Sequence, residues 1–333
     1  MTTSIRAFFH RLRSVIFRPD STSVCLKTLD ANSELLKTVL RDTLTLVRVV
    51  EERSRSLEYM AGQGACTAHY QIDLLQKLYV ESMPAVLGLD QKVAFNASCL
   101  IELMTDYPIA VESNDHISPN LTTEGVSRPT LFVQNCISVL GQDIKCLDLG
   151  TGAAGLVFEY AMNQVLAVGV DGSDFCRLNK IGYWPLLPNN LFTCDITKPF
   201  SFMSRDTQAP IEFDVITMWE VLEHITKNDL PDLFSNIARH LENRGYFIGS
   251  ISLIEYVSSD GIPYHMTLKP RKWWKARLLE SGLVMLDSHP FNEKLFCRGN
   301  GPRFQDFHNY ALNPNEGFLF VAQKKSDNER ISA

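Results

Sequence analysis

The chain has 333 residues, of which 45% are hydrophobic and 21% are charged, and its formal net charge is −6. These values are typical of a soluble globular protein with one large α/β domain and a smaller second unit. The acidic balance disfavours a general nucleic-acid binder, and the absence of an apolar run of roughly 20 residues disfavours a membrane-spanning protein.

The first residues alternate basic and apolar side chains, with no acidic residue before Asp20. Residues 5–18 are typical of an amphipathic basic helix. A secretory signal is not expected, because arginines interrupt the apolar residues. None of the eight cysteines forms a CxxC pair, which favours reduced thiols in the cytosol. We expect a cytoplasmic protein, with peripheral membrane contact through residues 5–18 or an organellar presequence as alternatives.

Apolar residues recur at helical spacing over residues 32–52, and Thr43 completes a heptad-like row. Such a helix needs a partner. Two interpretations remain open: the helix packs against other helices of its own chain, or it forms a homodimer through residues 26–52.

A second helical stretch near residues 70–82 ends at Met83-Pro84. Residues 1–85 are therefore predicted to form a helical N-terminal appendage that includes the candidate oligomerisation helix. Residues 86–127, which prolines and a glycine interrupt, are predicted to be a connecting segment.

After Thr130 the pattern changes to alternating strands and helices, which predicts a mostly parallel sheet covered by helices. This domain should span residues 128–325, followed by a disordered tail at 326–333. The last two strands are expected to form an antiparallel pair at one sheet edge. The predicted strands are Lys145–Leu149, Leu166–Asp171, Leu191–Cys194, Phe213–Met218, Tyr246–Ser252, Leu283–Ser288 and Gly317–Gln323.

A glycine motif follows the first of these strands. Gly150, Gly152 and Gly155 form GxGxxG immediately before the helical run 153–162. Glycines in this position permit a tight turn and a close approach of the ligand to the backbone. The motif alone suits a dinucleotide as well as S-adenosylmethionine.

Three acidic residues at strand ends favour S-adenosylmethionine. Asp148 would repel a pyrophosphate but attract the amino group of a methionine moiety. Asp171 is placed to accept both ribose hydroxyls, which fits either cofactor. Asp195 is placed to meet the adenine amine, although an aspartate here is also typical of a turn cap.

Four segments, Cys146–Gly155, Val168–Ser173, Thr193–Ile196 and Phe213–Ile225, resemble the successive motifs of class I S-adenosylmethionine-dependent methyltransferases. The resemblance covers residues 128–323 and implies a seven-stranded, mostly parallel, Rossmann-like methyltransferase sheet with an antiparallel edge strand. One departure is Ala154, which stands where many members carry the third glycine of GxGxG. The cofactor-binding residues that the resemblance implies are Asp148, Gly150, Thr151, Gly152, Asp171, Gly172, Asp195, Ile196, Trp219 and Glu220.

The fourth strand ends in titratable residues, where open α/β sheets place their ligands. Glu220, Glu223 and His224 are spaced to share one helical face, and His265 follows the fifth strand. The candidate catalytic groups are His224, His265 and Glu223, of which a histidine would act as general base.

The E-x-x-E-H pattern also resembles the metal site of ubiquinone-pathway O-methyltransferases and of small-RNA terminal 2′-O-methyltransferases. In that alternative Glu220, Glu223, His224 and His265 would hold a divalent metal that orients the acceptor. The same pattern occurs in metal-free class I enzymes, so metal ligands, a general base and purely structural roles all remain open. A metal-free enzyme is favoured.

Two downstream features bear on the acceptor. Trp273 and Trp274 are predicted to be core and lid residues, with stacking on the acceptor as the alternative. Residues 289–314 read as a long loop whose Lys294, Arg298, Arg303 and His308 would suit an anionic acceptor.

The leading hypothesis is methyl transfer from S-adenosylmethionine to an oxygen or nitrogen of a small-molecule or glycan-type acceptor. Metal-assisted terminal methylation of RNA is one alternative, which the acidic charge disfavours. A non-catalytic interaction protein that keeps the methyltransferase fold is another, which the acids at 148, 171 and 195 disfavour.

Overall fold

The computed structural model describes residues 101–119, 128–257, 261–297, 310 and 313–325. The predicted appendage 1–85, with its segments 5–18 and 26–52, and the predicted tail 326–333 lie outside the described residues. In the described part of the chain, no helix has the length and apolar character needed to cross a membrane.

The described residues form nine strands, six α-helices and two single 3₁₀ turns, at Leu222–His224 and Glu293–Leu295. In chain order the other elements are β1 (Ile101–Thr105), α1 (Asn114–Ile117), α2 (Thr130–Leu140), β2 (Lys145–Leu149), α3 (Gly155–Met162), β3 (Leu166–Asp171), α4 (Phe175–Leu178), β4 (Leu191–Thr193), β5 (Phe200–Ser204), β6 (Phe213–Trp219), α5 (Leu230–His240), β7 (Leu241–Ser252), α6 (Arg271–Glu280), β8 (Leu283–Met285) and β9 (Gly317–Lys324).

The main sheet has seven strands in the order β4-β3-β2-β6-β7-β9-β8. Strands β2, β3, β4, β6 and β7 pair in parallel, while β9 runs antiparallel to both of its neighbours. The predicted α/β fold with seven mostly parallel strands is confirmed. The predicted antiparallel pair is also present, with β9 one position in from the edge that β8 forms.

The centre of the sheet is the centre of the core. Leu147, Val168 and Ile216, on three adjacent strands, have 0% exposure. Helices cover both faces of such a parallel sheet, so its strands carry nearly continuous apolar runs. In α5, Leu230, Leu233, Phe234 and Ile237 are buried at the spacing that places them on one helix face.

A separate two-stranded ribbon was not predicted. Strand β1, from the predicted connecting segment 86–127, pairs antiparallel with β5 and thereby attaches this segment to the domain. The chain after β1 then passes the carboxyl ends of β3 and β4, where Ala110 N–H donates to the Gly172 carbonyl and the Tyr107 carbonyl accepts from Asp195 N–H, both at 2.9 Å.

Candidate active site

The strand order reverses between β2 and β6, because the chain adds β3 and β4 on one side of β2 and then β6 on the other. In open α/β sheets, ligands bind outside the carboxyl ends of the strands at such a reversal. The predicted cofactor loop after β2 and the predicted catalytic residues after β6 both lie there.

The loop after β2 depends on glycine at two positions. Gly150 has φ +78° and Gly152 has φ +51°, in the left-handed region. A Cβ at Gly150 would lie 2.4 Å from Val221 Cγ2, so the loop packs directly against the segment after β6. The N–H groups of Gly150 and Thr151 both donate to the Val170 carbonyl, at 2.8 and 3.0 Å, and this fixes the turn.

Ala154 adopts the left-handed conformation that a third loop glycine would otherwise supply, with φ 67°. Gly155 is the first residue of α3 and does not have a positive φ. The departure from GxGxG therefore lies at Ala154, while the backbone path of the motif is kept.

Two buried carboxylates flank this loop. Asp148 is 7% exposed and accepts a hydrogen bond from Thr217 Oγ1 at 2.7 Å. Asp171 accepts from the N–H groups of Gly152 and Ser173, at 2.8 and 2.9 Å. Burial raises the pKa of Asp171 to about 7, against the lowering effect of these two bonds.

Asp195, after β4, takes the turn-cap geometry that the sequence left open. Its Oδ1 accepts from the N–H and the hydroxyl of Thr197, at 2.9 and 2.6 Å. Ile196 beside it is buried at 7% exposure. Gly172, after β3, approaches the upstream segment closely, since a Cβ there would lie 3.2 Å from Ala110 Cβ.

The geometry of this half of the site fits S-adenosylmethionine. Residues 150–155 carry no cationic side chain, and Asp148 would repel a pyrophosphate. A glycine turn of this kind lets a ligand approach the backbone, and carboxylates suit an ammonium group and ribose hydroxyls.

Trp219 is the last residue of β6, and Glu220 follows it. Trp219 packs edge-on against Phe132 and Phe296, with ring centroids 5.0 and 6.0 Å away. Glu220 has φ +53°, and its Oε1 accepts a hydrogen bond from the Tyr310 hydroxyl. Tyr310 was not predicted as a site residue, and no sequence signal connects it to Glu220.

The predicted common helical face of Glu220, Glu223 and His224 is wrong. Glu220 has a left-handed backbone, and the helix that follows is one 3₁₀ turn at Leu222–His224. A helical face requires continuous helical dihedral angles, so a spacing of three and four residues does not by itself place these side chains on one face here.

Glu223, predicted to be catalytic, has 0% exposure. Its Oε1 accepts from Ser252 N–H at 2.7 Å, and its Oε2 has no hydrogen-bond partner among the described residues. Burial raises the pKa of Glu223 to about 8, although the charge of His224 opposes the shift. The backbone carbonyl of Glu223 accepts from the N–H groups of Met266 and Thr267, which anchors the loop that carries His265.

The two predicted catalytic histidines lie side by side. The ring centroids of His224 and His265 are 4.9 Å apart. His265 Nδ1 donates to the Ile254 carbonyl, and His224 Nδ1 lies 3.1 Å from Asp115 Oδ2. Asp115 was missed by the sequence reasoning, because 109 residues separate it from His224.

The two histidines differ in basicity. Burial lowers the pKa of His224, but the hydrogen bond and charge of Asp115, with the charges of Glu223 and Glu220, outweigh it and raise the pKa overall. Burial lowers the pKa of His265, and the Ile254 carbonyl only partly opposes this. At neutral pH His265 is therefore the less protonated ring.

The metal alternative gains no support in residues 101–119, 128–257, 261–297, 310 and 313–325, where no group of three or more His, Cys, Asp or Glu side chains is arranged to hold a metal ion. The four candidate ligands have other contacts: Glu220 with Tyr310, Glu223 with Ser252, His224 with Asp115 and His265 with Ile254.

The two tryptophans and the long loop were the other features predicted to bear on the acceptor. Trp274 is a core residue with 0% exposure, while the Trp273 ring lies under the Arg277 guanidinium. In the long loop, Lys294 belongs to a 3₁₀ turn, and Arg298, Arg303 and His308 lie outside the described residues.

Residues 127–289 match a family model described as a methyltransferase domain. No curated protein matches the chain. A solved structure of the 1,6-didemethyltoxoflavin-N1-methyltransferase of Burkholderia thailandensis is similar at 14% identity and TM-score 0.43, over 63% of this chain and 84% of that one. The methyltransferase CcbJ of Streptomyces caelestis is similar at 12% identity and TM-score 0.42, over 66% and 99%.

Proposed function

We propose that this protein, an S-adenosylmethionine-dependent methyltransferase whose residues 127–289 match the methyltransferase-domain model, methylates an oxygen or nitrogen atom of a small-molecule acceptor. The observation that carries the acceptor half of this proposal is the His224–His265 pair, with ring centroids 4.9 Å apart. The pair follows β6 and β7, and Val221, three residues before His224, packs against Gly150 of the cofactor loop.

The cofactor supplies a methyl group activated on a sulfonium sulfur. Around it, Asp148 attracts the ammonium group, and Asp171 accepts from the ribose hydroxyls with the lone pairs that Gly152 and Ser173 leave available. The glycine backbone at 150 and 152 leaves room for the ligand.

The acceptor atom must lose a proton as it takes the methyl group. Its lone pair forms the new bond to the methyl carbon while the bond from carbon to sulfur breaks, and the proton passes to an imidazole nitrogen of the histidine pair. A positioned general base typically contributes ~10²- to ~10⁴-fold to such a step. Holding the acceptor atom in line with the methyl group makes the other large contribution to the rate.

The test is transfer of labelled methyl from S-adenosylmethionine into the small-molecule fraction of a cell extract. We expect the unmutated protein to label an acceptor, and the double variant His224→Ala/His265→Ala to lose ~10²-fold or more of the rate. His289→Gln, which changes a histidine in contact with Glu293 outside the pair, should keep the rate.

Two further results of this experiment would count against the proposed function. Label that appears only in RNA, or is lost on addition of a chelator, would favour metal-assisted RNA methylation. Full activity of the double histidine variant would contradict the proposed proton transfer.

A further inference from the structure

Asp115 contacts His224 from outside the matched domain. Its Oδ2 lies 3.1 Å from His224 Nδ1, and the two side chains are 27% and 13% exposed. Asp115 belongs to α1, which precedes the first residue of the family match at 127. A residue upstream of the matched residues thus contacts the segment after β6.

The contact is held in place on both sides. Asn114 Nδ2 donates to the Pro263 carbonyl and lies 3.3 Å from Met266 Sδ, so α1 is tied to the loop that carries His265. Ser113 Oγ accepts from His116 N–H at 3.1 Å and caps α1. Ala110 N–H donates to the Gly172 carbonyl, which anchors the same segment beside the cofactor half of the site.

A carboxylate at Nδ1 has two effects on an imidazole. It accepts the Nδ1–H and so fixes the tautomer in which Nε2 carries the lone pair, and it stabilises the imidazolium that forms when Nε2 takes a proton. His265 has only a neutral carbonyl, that of Ile254, at its Nδ1. Of the two rings, His224 is therefore the one equipped to gain a proton during the reaction.

We propose that Asp115 is the positioning residue of the proton acceptor, and that His224, held by Asp115, takes the acceptor's proton on Nε2. The inference rests on the proposed methyl transfer. The proton leaves the acceptor oxygen or nitrogen as the methyl bond forms, and the Asp115 side chain keeps its contact with Nδ1 of the resulting imidazolium. His265 lies against the reacting ring as a neutral neighbour.

Other titratable groups also face His224: Glu220 and Glu223 from its own segment and His265 from the loop after β7. A variant of Asp115 must therefore be compared with one that changes charge on α1's segment without touching His224. Glu112 is exposed, lies three residues before Asp115, and provides this control.

The first experiment needs no acceptor. The full-length protein is treated with diethyl pyrocarbonate, which modifies neutral imidazoles, and the rate at His224 is followed by mass spectrometry as a function of pH. In Asp115→Asn we expect the midpoint of the pH–rate curve to fall by ~1 pH unit or more, as for loss of an opposite charge in hydrogen-bond contact. Asp115→Glu should retain most of the wild-type midpoint, and Glu112→Gln should leave it unchanged. An unchanged midpoint in Asp115→Asn would overturn the proposal.

The second experiment uses the acceptor that the extract screen labels. We expect Asp115→Asn to lose ~10-fold or more in turnover and to shift the pH profile, while calorimetry gives unchanged affinity for S-adenosylhomocysteine. His224→Ala should lose more activity than His265→Ala. If His224→Ala is inactive but Asp115→Asn keeps full turnover and profile, this inference fails and the proposed function stands. If His224→Ala alone keeps full turnover, this inference also fails; the proton step of the proposed function fails only if the double variant His224→Ala/His265→Ala keeps full turnover.

Discussion

Asp171 accepts a hydrogen bond from the backbone N–H of Gly152, with 2.8 Å between Oδ2 and nitrogen. This bond ties the end of β3 to the loop after β2, so the residue proposed to bind the ribose also shapes the loop proposed to bind the rest of the cofactor. The carboxylate is 6% exposed, and its second oxygen accepts from Ser173 N–H.

Substitution of Asp171 should therefore weaken cofactor binding strongly. We expect Asp171→Asn to lose ~10-fold or more in affinity for S-adenosylhomocysteine by calorimetry, because hydrogen bonds to a charged group contribute ~1.5–3 kcal/mol. Asp174→Asn, which removes a nearby carboxylate paired with Arg177, is the control and should bind normally. No binding by the unmutated protein would contradict the cofactor assignment.

Cofactor affinity should depend on pH near neutrality. Burial raises the pKa of Asp171 to about 7, so in the free protein the carboxylate is partly protonated there. The ionised form is the better acceptor for hydroxyls, and affinity should rise several-fold between pH 6 and pH 8. Calorimetry with S-adenosylhomocysteine in Asp171→Asn should show a smaller rise. An equal rise in both proteins would assign the pH dependence to another group.

The sequence predicted the positions of the glycine turn and of the strand-end acids because the signals for them are local. Strand β2, the glycines at 150 and 152 and the acid at 171 lie within one βα unit and the next strand, and hydrophobic runs place each at a strand end. The motif could not reveal that Ala154 takes the left-handed turn, since residues other than glycine seldom adopt that conformation.

The acceptor half depends on contacts between distant segments. Asp115 and His224 are 109 residues apart, and Tyr310 and Glu220 are 90 apart. No periodicity in the sequence connects such pairs. The predicted helical face after β6 failed for a related reason: residue spacing implies a shared face only within a continuous helix, and Glu220 is not helical.

The glycine at 150 should be required for the contact between the cofactor loop and the segment after β6. In Gly150→Ala the new Cβ would lie 2.4 Å from Val221 Cγ2, in addition to the strain of φ +78°. We expect ~10-fold or greater loss of affinity for S-adenosylhomocysteine. Gly282→Ala shares the strain, with φ +80° and no atom within 4 Å of its Cβ, so it should lose ~1–2 kcal/mol of stability but bind normally. Normal binding by Gly150→Ala would show that the loop can move away from Val221.

Replacement of Ala154 by glycine should cost little stability. Relief of the left-handed conformation at φ 67° gains ~1–2 kcal/mol, while loss of a buried methyl costs ~0.8 kcal/mol and added chain entropy costs ~0.5–1 kcal/mol. The terms nearly cancel. Ala153→Gly should lose the same buried methyl and gain the same chain entropy, because Ala153 is equally buried. It relieves no backbone strain, because Ala153 does not have a left-handed backbone. Denaturant unfolding should place Ala153→Gly ~1 kcal/mol or more below Ala154→Gly. Equal stabilities would contradict the strain at residue 154.

The buried carboxyl of Glu223 should make the protein less stable as pH rises. Burial raises its pKa from 4.5 to about 8, so the folded state holds a proton that the unfolded chain has released throughout this interval. The free energy of unfolding must therefore fall with pH between these values. His240 makes the free energy of unfolding rise with pH instead, because burial lowers its pKa to about 4. This contribution ends near pH 6.5, the ordinary pKa of histidine.

From pH 6.5 to pH 8 the contribution of His240 has ended, but two other groups also make the free energy of unfolding fall with pH: Asp171, up to about pH 7, and His224, whose pKa is raised above 6.5. The contribution of Glu223 is therefore read from the difference between the unmutated protein and Glu223→Gln. Over this window Glu223 alone should cost up to ~2 kcal/mol, since one pKa unit corresponds to ~1.4 kcal/mol. Glu223→Gln keeps an acceptor for Ser252 N–H and cannot ionise, so its unfolding free energy should fall less steeply in denaturant titrations at several pH values. Glu112→Gln, an exposed carboxylate, should follow the unmutated protein. A slope in Glu223→Gln equal to that of the unmutated protein would mean that Glu223 ionises in the folded state at its ordinary pKa, and that its 0% exposure does not exclude water from the carboxylate.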